Sequence, residues 1–110
     1  MTAEEKLTRL RVLFPDQEEI PDDSVLSEYL DIAGSEILNW LYIRVGTVPE
    51  DAEVPAIYEN TQIMAVIAAV NIIGAEGESL HIENGTHRQF KYEDLLAYVR
   101  THVYPQVVVG

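Results

Sequence analysis

Between Ile63 and Ile73 the chain reads Ile-Met-Ala-Val-Ile-Ala-Ala-Val-Asn-Ile-Ile, apolar everywhere except Asn71. A helix carrying that run has no side suited to water, so folding must surround it. In a chain of 110 residues that demand organises everything else. The expectation is one domain, 1–110, able to bury about two-thirds of its unfolded surface. The run is either the central core helix, or it keeps one face, with Ile63 and Ile67, for a second subunit.

Three further helices are legible around it. Thr2 and Glu5 have the spacing of a capping box, and Leu7, Leu10, Val12 and Leu13 follow before Pro15 stops the helix. Residues 14–23 are rich in acid and proline and read as a solvated linker; they lack the ligand order of a calcium loop. Helix two is expected from Asp23 or Ser24 to Arg44, with Gly46 as its stop. Its stripe is Leu26, Leu30, Ala33, Ile37 and Leu41, widened by Val25, Tyr29, Ile32 and Trp40. Gly34-Ser35 in mid-helix marks a kink or a close helix crossing. Helix three starts near Pro55, runs through Ile73 and is capped by Gly74. Helix four, Tyr92 to Tyr104, has the spacing Tyr92, Leu95, Leu96, Val99, Val103 and ends at Pro105. The fold class is therefore mainly α, a small four-helix domain with a protruding hairpin or loop between helices three and four.

Charge narrows the function. Nineteen acidic residues against seven basic ones give a formal charge of −12, and no Lys/Arg cluster interrupts it. Such a chain does not grip phosphates by counterion release. Its acidity serves solubility, or a surface that lies near DNA without adhering to it. The absence of cysteine excludes a disulfide framework and a thiolate metal site, and fits a reducing compartment. The first residues lack the regions of a signal peptide, and the apolar run is too short to span a bilayer. A soluble cytoplasmic chain with no membrane partner is expected.

The arm at 75–90 is the least helical part. A two-residue turn at Asn84-Gly85 pairs Glu83 with Thr86, Ile82 with His87, His81 with Arg88 and Leu80 with Gln89. His81, Glu83, Thr86 and Arg88 then share one face, and Leu80, Ile82, His87 and Gln89 the other. An isolated hairpin is marginal in water, so Leu80 and Ile82 need a surface, from this subunit or another. The same register separates His87 from His81 and Glu83, which removes the one triad resembling a metal site. His102, near the end of helix four, suits the negative helix terminus. Gly74-x-x-Gly77 lacks the spacing and lysine of a phosphate loop, and no nucleophile motif is present. No catalytic residue, cofactor or metal ligand is assigned. The tail 105–110, with Val107, Val108 and Val109, either packs on the domain or adds a strand to a neighbour.

The segment Gly-Ala-Glu-Gly-Glu-Ser-x-His-x-Glu-Asn-Gly-x-x-Arg-x-Phe, Gly74 to Phe90, carries a resemblance. It lies between an apolar third helix and a helix ending at Pro105, with a valine-rich tail beyond. In this order the chain resembles the head–tail connector (adaptor) proteins of siphophages and prophages of Gram-positive bacteria. The likeness is most specific from Gly74 to Tyr98, at Glu76, Gly77, Glu78, Ser79, Asn84, Gly85, Arg88 and Phe90. It implies a non-enzymatic virion protein at the head–tail interface, present in the host cytoplasm during assembly. It also implies a ring of identical subunits, twelvefold on the portal protein, that lengthens the DNA channel and receives a downstream connector or tail protein. DNA would pass through without specific binding. Interface residues expected on this basis are Leu80, Ile82, Asn84, Gly85, Arg88 and Phe90 of the arm, Ile63 and Ile67 of helix three, and the tail valines. The alternative is a small acidic monomer that binds a basic partner surface as a DNA mimic does. A metal-dependent hydrolase built on His81 and Glu83 is the remaining rival.

Overall fold

The computed structural model describes residues 1–14, 17–72 and 88–106. Among these the fold is mainly helical: α1 (Ala3–Leu13), α2 (Asp23–Leu41), α3 (Glu59–Ala69) and α4 (Tyr92–His102). Short 3₁₀ turns at Gln17–Glu19 and Ala56–Tyr58 precede α2 and α3. A two-stranded antiparallel pair, β1 (Val70–Ile72) and β2 (Arg88–Phe90), links α3 to α4.

α1 begins with the expected capping box. The Glu5 amide donates to Thr2 Oγ1 at 3.0 Å, and the Thr2 amide donates to Glu5 Oε1 at 2.8 Å. Its other end is closed by Gln17, whose Nε2 donates to the carbonyls of Arg11 at 2.9 Å and Phe14 at 2.8 Å. These bonds satisfy acceptors that a helix C-terminus leaves open. The segment after α1 is more than a solvated linker, because Phe14 is buried and Ile20 packs on the core.

α3 is the centre of the molecule and packs against α1, α2 and α4. Ile63, Ala65, Val66 and Ala69 are fully buried, Ile67 is half-buried, and Asn60 and Met64 reach an exposed side. Around them stand Leu10 of α1, Leu26, Leu30, Ala33, Ile37 and Leu41 of α2, and Leu95 and Val99 of α4. The α2 stripe is as its periodicity implies, with side chains three and four apart on one face. Burial of these side chains is the main stabilising term of the fold.

Three helix ends differ from the expectation. α3 stops at Ala69, and Val70, Asn71 and Ile72 continue as strand. Val70 and Ile72 are β-branched and stiff at χ1, which favours a pleated strand once a partner is present. α2 stops at Leu41; the amides of Val45 and Gly46 turn back onto the Tyr42 carbonyl, and Gly46 holds φ +103°. A left-handed residue there ends the turn, and glycine reaches that region without a Cβ clash. α4 stops at His102 because Val103 and Tyr104 are drawn into other bonds. Val103 is extended and its carbonyl accepts the Trp40 indole N–H at 2.9 Å, while the Tyr104 amide donates to the Tyr58 hydroxyl at 3.3 Å.

The strand pairing gives the end of the arm a partner that its turn signal did not imply. Val70 lies opposite Phe90, Asn71 opposite Gln89, and Ile72 opposite Arg88. Arg88 and Gln89 are thus partnered on one edge by the chain leaving α3; His81 and Leu80, their expected partners, lie outside the described residues. The Asn84-Gly85 turn itself lies outside the described residues.

Candidate interaction surfaces

The side chains that hold helices together are the ones that decide what is left over for contact. Gly34 of α2 meets Gln62 of α3 at a close approach of those helices: a Cβ on Gly34 would stand 2.9 Å from Gln62 Nε2. Gln62 is 5% exposed, and its Nε2 donates to the Leu30 carbonyl at 2.8 Å. Its Oε1 is buried without a protein partner. The mid-helix glycine marked this crossing in the sequence. The glutamine carried no signal there, since its burial depends on where Gly34 lets α3 lie.

A second set ties α4 to α2. Trp40 receives the Arg100 guanidinium over its ring, 5.0 Å from the centroid. The Tyr92 hydroxyl donates to the Glu36 carboxylate. That bond, with burial and the Glu36 charge adding to it, raises the Tyr92 pKa above the ordinary phenol value. Tyr29 stacks on Phe90, with ring centroids 4.1 Å apart and planes inclined by 13°. His102 stacks on Tyr98 at 3.9 Å and places Nδ1 2.9 Å from the Tyr98 carbonyl, within the last turn of α4.

α1 is attached by charge as well as by Leu10. The Met1 ammonium donates to Glu59 Oε2 at 2.8 Å, at the start of α3. The hydrogen bond from that ammonium holds the Glu59 carboxyl below its ordinary pKa; the Met1 and Lys6 charges add to the effect, and burial opposes it. At the far end Arg11 Nη1 lies 2.7 Å from Asp23 Oδ1.

The residues expected at an interface therefore divide. Ile63 is fully buried inside the subunit and Ile67 packs against the same core, so neither offers an open apolar face. Phe90 is engaged by Tyr29, and Arg88 sits in β2 opposite Ile72. Leu80, Ile82, Asn84, Gly85, Val107, Val108 and Val109 lie outside the described residues, as do His81, Glu83 and His87. Among the described residues no group of histidine and acidic side chains is arranged to hold a metal ion.

What the surface does expose is different. Val12 and Leu13 belong by spacing to the α1 stripe, yet both are exposed, because only Leu10 reaches the core fully. Ile43, Val45 and Val48 are exposed in the loop after α2, and Ile57 and Tyr104 lie open at the same end. Their proximity is fixed by the Gln106 amide bonded to the Leu41 carbonyl at 2.8 Å and by the Tyr104–Tyr58 bond. Apart from the half-buried Glu36 and Glu59, every acidic side chain whose exposure is described lies on the surface. No helix among the described residues is long and apolar enough to cross a membrane.

This arrangement has the form of a packing module: a closed core, an acidic exterior and separate exposed apolar patches. No curated protein and no solved structure matches the chain. The family profile described as phage gp6-like head-tail connector protein matches residues 10–102, from the last turns of α1 to the end of α4. The chain belongs to the phage gp6-like head-tail connector family.

Proposed function

We propose that this chain is a ring-forming subunit of the phage head–tail junction, seated beneath the portal protein and receiving a downstream connector or tail protein. The observation that carries the proposal is the family match over residues 10–102, which includes nearly all of the helical core. Two physical features support it. A net charge of −12 with the described carboxylates almost all at the surface repels DNA phosphates, so DNA slides past without sticking. Exposed apolar patches at the end of α1 and after α2 supply surface for protein contact. The subunit acts by packing and performs no catalysis. Twelvefold copy number on the portal, and clasping by the arm and the valine tail, are part of the same reading.

The test is to express the chain with and without the portal protein and measure mass and shape by electron microscopy and light scattering. A closed ring stacked on the portal is expected. A chain that binds no portal and stays monomeric at every concentration removes the proposal. The acid surface also favours a second reading, a monomer that covers a basic partner in place of DNA. That monomer would bind tightly at low salt and lose affinity steeply as salt rises.

A further inference from the structure

Much of the exposed apolar surface gathers where α2 and α4 end. Ile43 is 53% and Val45 48% exposed, Val48 is exposed after them, and Ile57 and Tyr104 lie open at 78% and 76%. Two hydrogen bonds tie these segments together: the Gln106 amide on the Leu41 carbonyl at 2.8 Å, and the Tyr104 amide on the Tyr58 hydroxyl at 3.3 Å. Charge does not select a partner for this end, because both signs border it. Exposed Arg44 stands between Ile43 and Val45, and Arg100 lies over Trp40. Exposed Glu50 and Asp51 follow Val48 and Pro49. With no field of one sign to meet, the group that fits is apolar and uncharged.

This chain supplies such a group itself. Gln106 is the last described residue, and Val107, Val108 and Val109 follow it directly. The Gln106–Leu41 bond fixes their starting point at the last residue of α2, two positions before Ile43. Ile43 and Val45 stay close to that point, because the Val45 and Gly46 amides turn back onto the Tyr42 carbonyl. Three residues span at most about 11 Å, enough to lie across this turn.

We infer that, in the free chain, Val107–Val109 pack over Ile43 and Val45 of the same molecule. A second copy competes poorly for this surface, since a short tether holds its own segment at an effective concentration in the millimolar range. The Arg44 guanidinium keeps its place in water while its methylenes lie along the covered surface. The contact goes beyond the proposed ring and adds a condition to it. A tail that clasps a neighbour must first leave this surface, and in leaving it uncovers Ile43 and Val45 for contact.

Nuclear magnetic resonance of the dilute chain, with isoleucine and valine methyls labelled, tests the contact directly. Overhauser contacts from the methyls of Val107–Val109 to those of Ile43 or Val45 are expected, and dilution should not weaken them. A mixture of labelled and unlabelled copies should show no such contact between copies. Deleting residues 107–110 keeps the Gln106–Leu41 bond and uncovers the patch, so binding of anilinonaphthalene sulfonate should rise about twofold or more. Val108→Asp keeps the length of the tail and should act in the same direction. Val12→Asp, at an exposed position of α1, should leave the tail contacts unchanged. Tail methyls without contacts to Ile43 or Val45, contacts only between copies, or dye binding unaltered in both tail variants would overturn the inference. The ring stands or falls separately: a chain that shows the tail contacts and never assembles on portal protein overturns the ring alone.

Discussion

Gly34 and Gln62 form a close contact between α2 and α3 in the core, and each explains the other. Alanine is the better helix former by about 1 kcal/mol, so on propensity alone Gly34→Ala should stabilise α2. The added Cβ would lie 2.9 Å from Gln62 Nε2, the atom that donates to the Leu30 carbonyl. Moving that amide breaks a buried hydrogen bond beside an oxygen that already lacks a partner. We expect a net loss of about 1–2 kcal/mol, read by chemical denaturation. Combining Gly34→Ala with Gln62→Ala should recover much of it, and additive losses would show that the clash is elsewhere. Glu59 gives a second prediction at this scale. Its carboxyl pKa is lowered in the folded state, chiefly by the hydrogen bond from the Met1 ammonium. Its contribution to stability is therefore complete above the ordinary value of 4.5 and is lost as pH falls through the lowered folded value. Glu59→Gln should remove that part of the acid-side slope, and a slope unchanged in a pH series of melts would refute the assignment. The Thr2–Glu5 box was legible because its bonds lie within one turn. The Glu59 and Gln62 contacts join positions far apart in the chain, and no local pattern encodes them.

At the scale of elements, the apolar run from Ile63 to Ile73 announced burial but not its own conformation. Its first part, through Ala69, is helix surrounded by three others; Val70 to Ile72 is strand. The second part differs in hydrophobicity only by Asn71, and what makes it strand is a partner contributed by residues 88–90. Helix propensity along a single sequence does not contain that partner, so the expected helix ran too far. For the same reason the turn signal at Asn84-Gly85 did not announce that Arg88 lies opposite Ile72. The stripe of α2 was read correctly because its period depends on the helix alone. The β1–β2 pair is short, and short pairs hold only when packed on something. Here the packing comes from Tyr29 stacked on Phe90 and from the Lys91 amide bonded to the Ala69 carbonyl at 2.9 Å. Tyr29→Ala should therefore loosen the strands before the helices. Hydrogen exchange is expected to accelerate at the Lys91 amide while Val66 and Val99 stay protected. The aromatic pair itself is worth about 0.5–1.5 kcal/mol beyond the area it buries. Uniform acceleration across α2, α3 and α4 would mean that the stack supports the whole core instead.

For the whole molecule, the charge of −12 sets the conditions of assembly. Two such copies with centres about 30 Å apart repel by about 7 kcal/mol at 0.01 M salt and by about 0.5 kcal/mol at 0.15 M, treating each as a point charge in water. A single contact ion pair between exposed groups contributes about 1 kcal/mol at most. Net repulsion outweighs the specific pairs at low salt and almost vanishes near physiological salt. Self-association of this chain should therefore strengthen as salt rises from about 0.01 to about 0.15 M. Above that range the curve should flatten, leaving apolar contacts to hold the junction, since burial of apolar surface is not screened. A monomer that covers a basic partner obeys the opposite rule, because the attraction that binds it is what salt removes. Sedimentation of the purified chain across that range tests the assembly reading: self-association that falls steadily with salt would contradict assembly of like-charged copies, and a chain that stays monomeric at every salt concentration would favour the regulator.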